Sequence, residues 1–306
     1  MRYIVTGATS FLGLELIDYL QREGHEVVAV CRPQSSALAD IPLGVEVVLA
    51  DMSEYGGLYR DVPEADVWVN LAWEGTGHDG RNQEEVQQAN VVNTIAAMFG
   101  ADKMGCRLFV EAGSQAEYGT VLTSISEATP CNPFSAYGKA KLEVCRRLSE
   151  LSAELGIKYL HLRIFSLFGE GDHPWTLVMS SLGKMLRDEA VDLSPCTQHW
   201  DFLYVKDAVR QMASLCDYAL TSKDFRSEVY HIASGDSRPL KDFVECMKAL
   251  TGSGSELNYG AVTPQYVVSL QPDMSKTQAV VGRLCEYSFD DVINRMIEKL
   301  RYDKGK

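Results

Sequence analysis

The sequence predicts an α/β protein built on a doubly wound parallel sheet, with a smaller α/β lobe toward the C-terminus. Three observations predict this class. Strand-like apolar runs alternate with helix-length amphipathic segments through the first half of the chain. Those runs are almost continuously apolar, as strands covered on both faces are. A glycine-rich turn follows the first strand, and folds of this class bind ligands at the carboxyl ends of their strands.

The first half of the chain divides into strands and the helices that connect them. The expected strands are RYIVTG, HEVVAVCR, VEVVLAD, ADVWVNLAW, CRLFVEAGS and IKYLHLRIFSLFG. The expected helices are FLGLELIDYLQREG, which Gly24 ends as a C-cap, a weak SEYGGLYRDV helix, RNQEEVQQANVVNTIAAMFGADKMG and SAYGKAKLEVCRRLSELSAELG.

After Gly169 the regular alternation ends and a smaller α/β lobe is expected. GEGDHPW is a loop, TLVMSSLGKMLRDEA a helix, and TQHWDFLYVKDAVRQMASLCDYAL a strand followed by a helix that opens at Asp207. EVYHIAS is a further strand. The remaining segments are a helix at LKDFVECMKAL, a strand at QYVVSL, a helix at FDDVINRMIEKL and a frayed tail, RYDKGK.

Composition limits the function classes. The 306 residues carry a net charge of −13, which argues against a nucleic-acid binder because that function needs a basic face. No apolar run approaches the roughly 20 residues of a membrane span, and MRYIVTG leaves no room for a signal peptide. The eight cysteines form no C-x-x-C pair, so we expect buried thiols in a reducing cytoplasm and no metal site.

The stretch VTGATSFLG predicts a dinucleotide-binding loop. Gly7 lets the chain turn sharply out of the strand, and Gly13 lets the following helix approach the sheet closely. Ser10 stands at the position of a middle glycine and offers its hydroxyl to a phosphate. The N–H groups at the start of the helix point at an anion, while Phe11 and Leu12 anchor the helix to the sheet.

The ends of the next three strands add to this interpretation. Asp51 ends the third strand, where its carboxylate can accept the adenine amino group, and small Ala72 in NLAW lets a nucleotide pass close to the fourth. An acidic residue after the second strand favours NAD, but this chain has Arg32 followed by QSS. A guanidinium and two hydroxyls suit a 2′-phosphate, so we expect NADP, with NAD as the alternative.

SAYGKAK places Tyr137 and Lys141 on one face at the start of a helix. An adjacent ammonium favours the phenolate of a tyrosine, which can then give or take a proton near neutral pH. Ser114 follows the fifth strand at the same edge of the sheet, where its hydroxyl can orient a substrate alcohol or carbonyl. The three residues together predict a proton-transfer site.

With these residues the chain resembles the extended short-chain dehydrogenase/reductase family of nucleotide-sugar epimerases, dehydratases and ketosugar reductases. The resemblance covers nearly the whole chain and rests on TGATSFLG, LADM, NLAW, NVVNT, GSQAEYG, YGKAK, LRIFSLFG and WDFLYVKDAV. It implies a catalytic triad of Ser114, Tyr137 and Lys141. The implied substrate contacts are Ser114, Tyr137 and Ser166. The implied cofactor contacts are Gly7, Ser10, Phe11, Leu12, Gly13, Asp51, Met52, Ala72 and Asn90. We expect further cofactor contacts at Arg32, Leu71, Trp73, Tyr137, Lys141 and Phe165.

The chain departs from the family pattern in three places, one of which is Ser10, where family loops usually carry Gly. Dehydratases of the family carry an acidic pair directly after the triad serine or threonine, whereas this chain has Gln115 and Ala116, followed by Glu117, which strand-like alternation points elsewhere. Ser166 replaces a frequent Asn. We therefore expect an NADPH-dependent reductase of a nucleotide-linked 4-keto sugar. The alternatives are an NAD-dependent 4-epimerase and a non-catalytic dinucleotide-binding sensor or scaffold.

The resemblance also implies a lobe that binds a nucleoside-diphosphate sugar and a Rossmann-like domain that binds the dinucleotide. We assign residues 1–168 and about 198–234 to the dinucleotide domain, and about 169–197 and 235–306 to the sugar lobe. Helices at 81–104 and 134–155 suit a homodimer. Candidates for the pyrophosphate are Arg163, Arg187, Arg210 and Arg238, and candidates for stacking on the base or sugar are Trp73, Trp175 and Trp200.

Overall fold

The structure is a computed structural model that describes residues 1–77, 79–263 and 268–303. The strands are β1 (Arg2–Thr6), β2 (Glu26–Cys31), β3 (Glu46–Leu49), β4 (Val67–Asn70), β5 (Leu108–Ser114), β6 (Lys158–Ile164), β7 (Ser166–Phe168), β8 (Val191–Leu193), β9 (His199–Trp200), β10 (Phe202–Tyr204), β11 (Ser227–Ile232), β12 (Arg238–Pro239) and β13 (Leu257–Tyr259). The α-helices are α1 (Phe11–Arg22), α2 (Glu84–Lys103), α3 (Ala136–Leu155), α4 (Leu177–Met185), α5 (Val205–Thr221), α6 (Leu240–Thr251), α7 (Ser275–Val281) and α8 (Phe289–Asp303).

The predicted doubly wound sheet is confirmed. Seven parallel strands lie in the order β11-β6-β5-β4-β1-β2-β3. The chain adds β2 and β3 on one side of β1, and after β3 it crosses to the other side of β1 and adds β4, β5, β6 and β11 there. One face is covered by α1 and α5, where Leu16 and Val209 pack on β1 and its neighbours. The other face is covered by α2, α3 and the segment that contains Tyr55. Alternate residues of each strand enter the two apolar layers, which explains the continuous apolar runs.

The sixth predicted strand is two strands. β6 ends at Ile164, and β7 pairs with β10 in a separate two-stranded sheet. Between them Phe165 donates its N–H to the carbonyl of Ile232 at 3.0 Å, and its side chain is buried. The break therefore turns the chain from the central sheet into the C-terminal lobe.

Other predicted elements also differ in their limits. The weak helix after β3 is a 3₁₀ helix at Met52–Arg60, since its two adjacent glycines disfavour α-helix. Helix α5 begins at Val205 and not at Asp207. Of the predicted QYVVSL strand, 265–267 lie outside the described residues and 268–270 form no strand. The sequence interpretation missed α7, whose seven residues are too few to show a period.

The smaller C-terminal α/β lobe has its own apolar core. Helices α4, α6 and α8 pack around a cluster of aromatic side chains that includes Phe168, Phe202, Phe243 and Phe289. Three two-stranded sheets, β7 with β10, β9 with β12 and β8 with β13, border this core. The domain limits drawn from the sequence stay a prediction.

Among the described residues, no helix combines the length and the apolar character that crossing a membrane would need. The cysteines are all free thiols, of which Cys131, Cys246 and Cys285 are half-buried and the other five are buried. The expectation of buried thiols therefore holds for five of the eight.

Candidate active site

The loop after β1 has the geometry that the glycines predict. Gly7 has φ of +69°, and a Cβ there would lie 2.7 Å from the backbone nitrogen of Ala72. A Cβ at Gly13 would collide with the carbonyl oxygen of Gly7. Ser10 is the N-cap of α1, where its Oγ accepts the N–H of Gly13 at 3.0 Å. Its hydroxyl hydrogen, together with the unpaired N–H groups of the first turn, can therefore serve a phosphate.

The segment after β2 lies against this loop. Ser35 donates its hydroxyl to Oγ1 of Thr9 at 3.0 Å, and its N–H binds the carbonyl of Arg32 at 3.0 Å. These contacts fold the segment into a turn beside the glycine loop. Arg32 is exposed there, with its guanidinium available to a ligand. Asp51, two residues after β3 and at the start of the 3₁₀ helix, is also exposed, and its N–H binds the carboxylate of Glu54 at 2.8 Å.

The segment after β4 is fixed by two amide side chains of α2. Asn90 accepts the N–H of Glu74 at 3.0 Å and donates to its carbonyl at 2.9 Å. Trp73 donates its indole N–H to Gln87 at 2.8 Å. Asn90, predicted as a cofactor contact, thus has its amide engaged in shaping this segment. Leu71 and Met52 are half-buried beside it, and Ala72 is buried.

A row of buried polar side chains crosses the sheet at its carboxyl edge. Thr6, Asn70 and Glu111 occupy matching register positions on β1, β4 and β5. Thr6 donates its hydroxyl to Asn70 at 2.6 Å, and Asn70 donates its amide to Oε2 of Glu111 at 2.7 Å. All three are fully buried. The sequence interpretation missed this row, although a charge inside the apolar run CRLFVEAGS was its visible signal.

Lys141 lies at the end of this row. Its Nζ binds Oε1 of Glu111 at 3.0 Å and the carbonyl of Ala112 at 2.6 Å. The same ammonium lies 3.4 Å from the centre of the Trp73 ring, which is cation–π distance. Lys141 is only 3% exposed. The structure therefore gives the predicted triad lysine a buried carboxylate partner.

Tyr137, one turn before Lys141 on α3, has two aromatic or cationic neighbours. Its ring centre lies 6.0 Å from that of Trp73, with the rings edge to face. The guanidinium carbon of Arg81 lies 4.3 Å from the centre of the Tyr137 ring. Arg81 was predicted as the first residue of a helix, but it belongs to a 3₁₀ turn at Gly80–Asn82, and α2 begins only at Glu84. Its contact with Tyr137 was missed from the sequence, because a lone arginine carries no pattern.

Ser114 ends β5 as the N-cap of a short 3₁₀ turn. Its Oγ accepts the N–H of Ala116 at 3.1 Å, which leaves the hydroxyl hydrogen to donate elsewhere. Its backbone N–H binds Oε1 of Glu117 at 2.8 Å. Glu117 is fully buried and binds Nε2 of His161 at 2.9 Å and Nε of Arg163 at 2.7 Å. Glu117 thus fixes the serine from behind and points away from the site, as expected.

These contacts correct one prediction. Arg163, proposed as a pyrophosphate contact, is 4% exposed and is held by Glu117 and by the hydroxyl of Tyr118. Burial opposes the charges, but the partners outweigh it: they lower the pKa of Glu117 and raise the pKa of His161. Glu117, His161 and Cys145 come close enough to hold a metal ion. The guanidinium of Arg163 already supplies the positive charge there.

The other candidates lie in different surroundings. Phe165 is buried against the His231 ring, and Ser166 is half-buried at the start of β7. Arg238 lies over the Phe243 ring and borders a cleft of about 300 Å³ in the C-terminal lobe. Of the remaining arginines, Arg187 is ion-paired with Glu189, and Arg210 binds Asp207 and two backbone carbonyls. Of the tryptophans, Trp175 stacks on His173, and Trp200 lies beside Phe202.

The sheet topology, the glycine loop and the helix N-terminus define an NAD(P)-binding α/β protein. Residues 3–233 match the family model described as the NAD dependent epimerase/dehydratase family. The chain therefore belongs to this family, which confirms the resemblance to the extended short-chain dehydrogenases/reductases.

Two curated relatives cover most of the chain. CDP-abequose synthase of Salmonella muenchen is 22% identical, over 85% of this chain and 84% of the relative. A dTDP-6-deoxy-L-talose 4-dehydrogenase (NAD(+)) of Aggregatibacter actinomycetemcomitans is 24% identical, over 80% of this chain and 88% of the relative. The structure of UDP-glucose 4-epimerase from Thermotoga maritima with UDP-glucose is similar in fold, with a TM-score of 0.88, 21% identity and coverage of 99% and 100% of the two chains.

Proposed function

We propose that the protein reduces a nucleotide-linked 4-keto sugar with NADPH, and that Tyr137 is the general acid. The observation that carries the proposal is the arrangement around Tyr137. Its ring is held by Trp73 and Arg81, and Lys141 follows one helical turn later. Ser114 is the last residue of β5, and the glycine loop directly follows β1. Because both strands belong to the same parallel sheet, Ser114 and the glycine loop both lie at its carboxyl edge.

The residues divide the work of the reaction. A bound nicotinamide cofactor supplies the hydride. Tyr137 donates its phenolic proton to the sugar carbonyl oxygen as that oxygen gains charge. Ser114 accepts the N–H of Ala116 at its Oγ, which leaves its hydroxyl hydrogen to donate to the same carbonyl oxygen. Lys141 has its charge balanced by Glu111, and holds its position beside Trp73.

The residues present fit a dinucleotide. A Cβ at Gly7 or Gly13 would collide with the protein's own backbone, so the two glycines allow the tight turn that places the N-terminus of α1 beside β1, and Ser10 keeps a hydroxyl hydrogen for a phosphate. The exposed Arg32 and the Ser35 turn beside the glycine loop support NADP over NAD, because a 2′-phosphate needs a local cation. NAD stays the alternative, and one relative is named for NAD(+).

The proposed substrate is a nucleoside-diphosphate sugar. The two curated relatives are named for CDP-linked and dTDP-linked sugars, which supports this class. The cleft in the C-terminal lobe, with Arg238, Asp236 and Tyr287 on its walls, is the proposed place for the nucleotide. Elimination of water needs an acidic pair directly after Ser114, and this chain has Gln115 and Ala116 there, which argues against a dehydratase.

An epimerase is the second candidate, supported by the fold likeness to UDP-glucose 4-epimerase. The two functions differ in how they use the cofactor, because an epimerase regenerates it in every cycle and a reductase consumes it. The test is to denature purified protein and identify the released dinucleotide. Stoichiometric NAD⁺ would contradict the reductase. Protein that is empty as purified, binds NADPH and oxidises it with a 4-keto sugar would support it.

The sugar is tested by thermal shift with CDP-, dTDP- and UDP-sugars, each with and without NADPH. Tyr137→Phe is the matched variant for turnover, since it removes one hydroxyl and keeps the ring between Trp73 and Arg81. It should bind NADPH as the parent does and lose turnover. Turnover that survives in Tyr137→Phe would contradict the assignment of the acid.

We also propose a homodimer through α2 and α3 and a cytoplasmic location. The two helices pack against each other, and Val92 and Phe99 of α2 are exposed apolar side chains. Light scattering of the parent and of a Phe99→Glu variant tests the dimer. A monomer in both cases would contradict it.

A further inference from the structure

We propose that Arg81 is a positioning residue for Tyr137, which fixes the tyrosine ring and supplies the unbalanced positive charge at its phenol. The inference rests on the proposed function, because that function gives Tyr137 the proton transfer. In this proposal, Arg81 of the loop provides positive charge near the Tyr137 phenol, a role that Lys141 alone would otherwise have.

The first support is geometric. The guanidinium carbon of Arg81 lies 4.3 Å from the centre of the Tyr137 ring, well within the roughly 6 Å at which a cation is attracted to an aromatic face. The planar guanidinium can cover the ring, which restricts its rotation. Trp73 contacts the same ring edge to face at 6.0 Å. Two contacts from one loop segment therefore fix the orientation of the tyrosine.

The second support is the balance of charge. Lys141 has a fully buried carboxylate partner in Glu111, so much of its field at a distance is cancelled. The arginines that form ion pairs among the described residues do not include Arg81; they are Arg2, Arg22, Arg107, Arg147, Arg163, Arg187, Arg210 and Arg238. Glu117, on the turn that packs on α3, is already paired with Arg163 and His161. The acidic residues of the same loop are Glu74 and Asp79, and Asp79 has an interaction of its own.

The third support is the way the loop is anchored. Gln87 of α2 donates its amide to the carbonyls of Gly75 at 3.1 Å and Gly80 at 2.9 Å, while accepting from Trp73. The N–H of Arg81 binds the carbonyl of Gly77 at 3.1 Å. The buried side chain of Gln87 therefore fixes Gly80, the residue directly before Arg81. The backbone of Arg81 consequently has a defined position.

The consequence is a shift in the pH at which Tyr137 ionises. A cation near the ring favours the phenolate, so loss of the guanidinium moves ionisation to higher pH. Arg81→Lys keeps a cation and should recover part of the shift.

The test is a phenolate titration that needs no substrate. Absorbance at the phenolate band is followed against pH for the whole protein, and the same titration of Tyr137→Phe is subtracted to isolate one tyrosine. The subtraction is repeated in Arg81→Gln and Arg81→Lys. The matched control is Arg60→Gln, because Arg60 lies 5.0 Å over the Tyr59 ring on another part of the surface.

The expected result is a higher midpoint in Arg81→Gln, a partial return in Arg81→Lys and no change in Arg60→Gln. An unchanged midpoint in Arg81→Gln overturns the proposal. Where a sugar substrate is turned over, the pH–rate profile should move in the same direction, with a lower kcat and little change in KM. A rise in KM alone, with an unmoved midpoint, also overturns it. If no nucleotide sugar reacts, the proposed function fails while the titration still decides the role of Arg81.

Discussion

Glu111 and Lys141 form an ion pair that is almost completely inside the protein, with 3.0 Å between Oε1 and Nζ and exposures of 0% and 3%. Taking two charges out of water is costly, and their attraction compensates only when further hydrogen bonds satisfy them. Here Asn70 donates to the other carboxylate oxygen, and the carbonyl of Ala112 accepts from the ammonium. The pair therefore depends on both strands β4 and β5 and on helix α3.

The first prediction is that Glu111→Gln destabilises the protein by about 3–5 kcal/mol, because it leaves the Lys141 ammonium buried without a counter-charge. Urea unfolding measures this change. Glu46→Gln is the matched control: Glu46 pairs with Arg2 at 2.7 Å but is half exposed, so its loss should cost about 1 kcal/mol or less. Equal effects of the two substitutions would contradict the central role given to the buried pair.

The second prediction concerns pH and the Glu117–His161 pair. Opposed by burial, the Glu117 carboxylate raises the pKa of His161 to about 10. Because the pKa of His161 is higher in the folded than in the unfolded protein, protonated His161 stabilises the fold. This stabilisation is fully present below the unfolded pKa of about 6.5 and is lost as pH rises toward 10. The pKa of Glu117 falls to about 2, so its stabilisation is present above about 4.3 and is lost as pH falls toward 2.

Unfolding free energy measured from pH 6 to pH 10 checks the alkaline side, where we expect a decline in the parent and a smaller slope in His161→Gln. His25→Gln is the control, since His25 lies at the surface beside the N-terminus, and it should leave the slope unchanged. The same slope in all three proteins would show that His161 is not held protonated by Glu117.

The third prediction separates two residues of the glycine loop. Gly7→Val should abolish dinucleotide binding, because φ of +69° and a Cβ 2.7 Å from the backbone of Ala72 both exclude a β-branched side chain. Ser10→Gly should change affinity only modestly, since glycine as an N-cap costs a few tenths of a kcal/mol relative to serine. Calorimetric titration with NADPH measures both. Gly7→Val with parental affinity would refute the role of this turn.

Much of the fold follows from local sequence. The alternation of apolar strands and amphipathic helices determines the seven-stranded sheet, and the glycine loop follows β1 as predicted. The break after Ile164 was not predictable, because nothing local in LRIFSLFG separates the two strands, while the strand partners change from β11 to β10. Strand pairing depends on distant segments, which a local pattern does not contain.

The site shows the same division. Motifs predict Ser114, Tyr137 and Lys141 as the catalytic triad, but the partners of these side chains come from elsewhere in the chain. Glu111 is 30 residues from Lys141, and they meet only because α3 packs on β5. Arg81 reaches Tyr137 through a loop whose course depends on Gln87. Electrostatic partners of this kind require the tertiary structure.

The last prediction tests the cofactor preference through Arg32. If the exposed guanidinium binds the 2′-phosphate, Arg32→Gln should weaken NADPH binding about tenfold or more, the loss expected for a hydrogen bond to a charged group. NADH lacks this phosphate, so its affinity should change less than about twofold. Titration of both cofactors at one fixed ionic strength measures the two Kd values, because surface charge effects depend on salt.

The control for this experiment is Arg60→Gln, which removes the same charge from the 3₁₀ helix that follows β3 and should leave both affinities unchanged. A further variant, Ser35→Ala, breaks the hydroxyl contact to Thr9 that holds the turn against the glycine loop. It should weaken NADPH binding more than NADH binding, since the turn carries Arg32. Equal losses for the two cofactors in Arg32→Gln would mean that Arg32 acts on the shared part of the dinucleotide, and NAD would then be the expected cofactor.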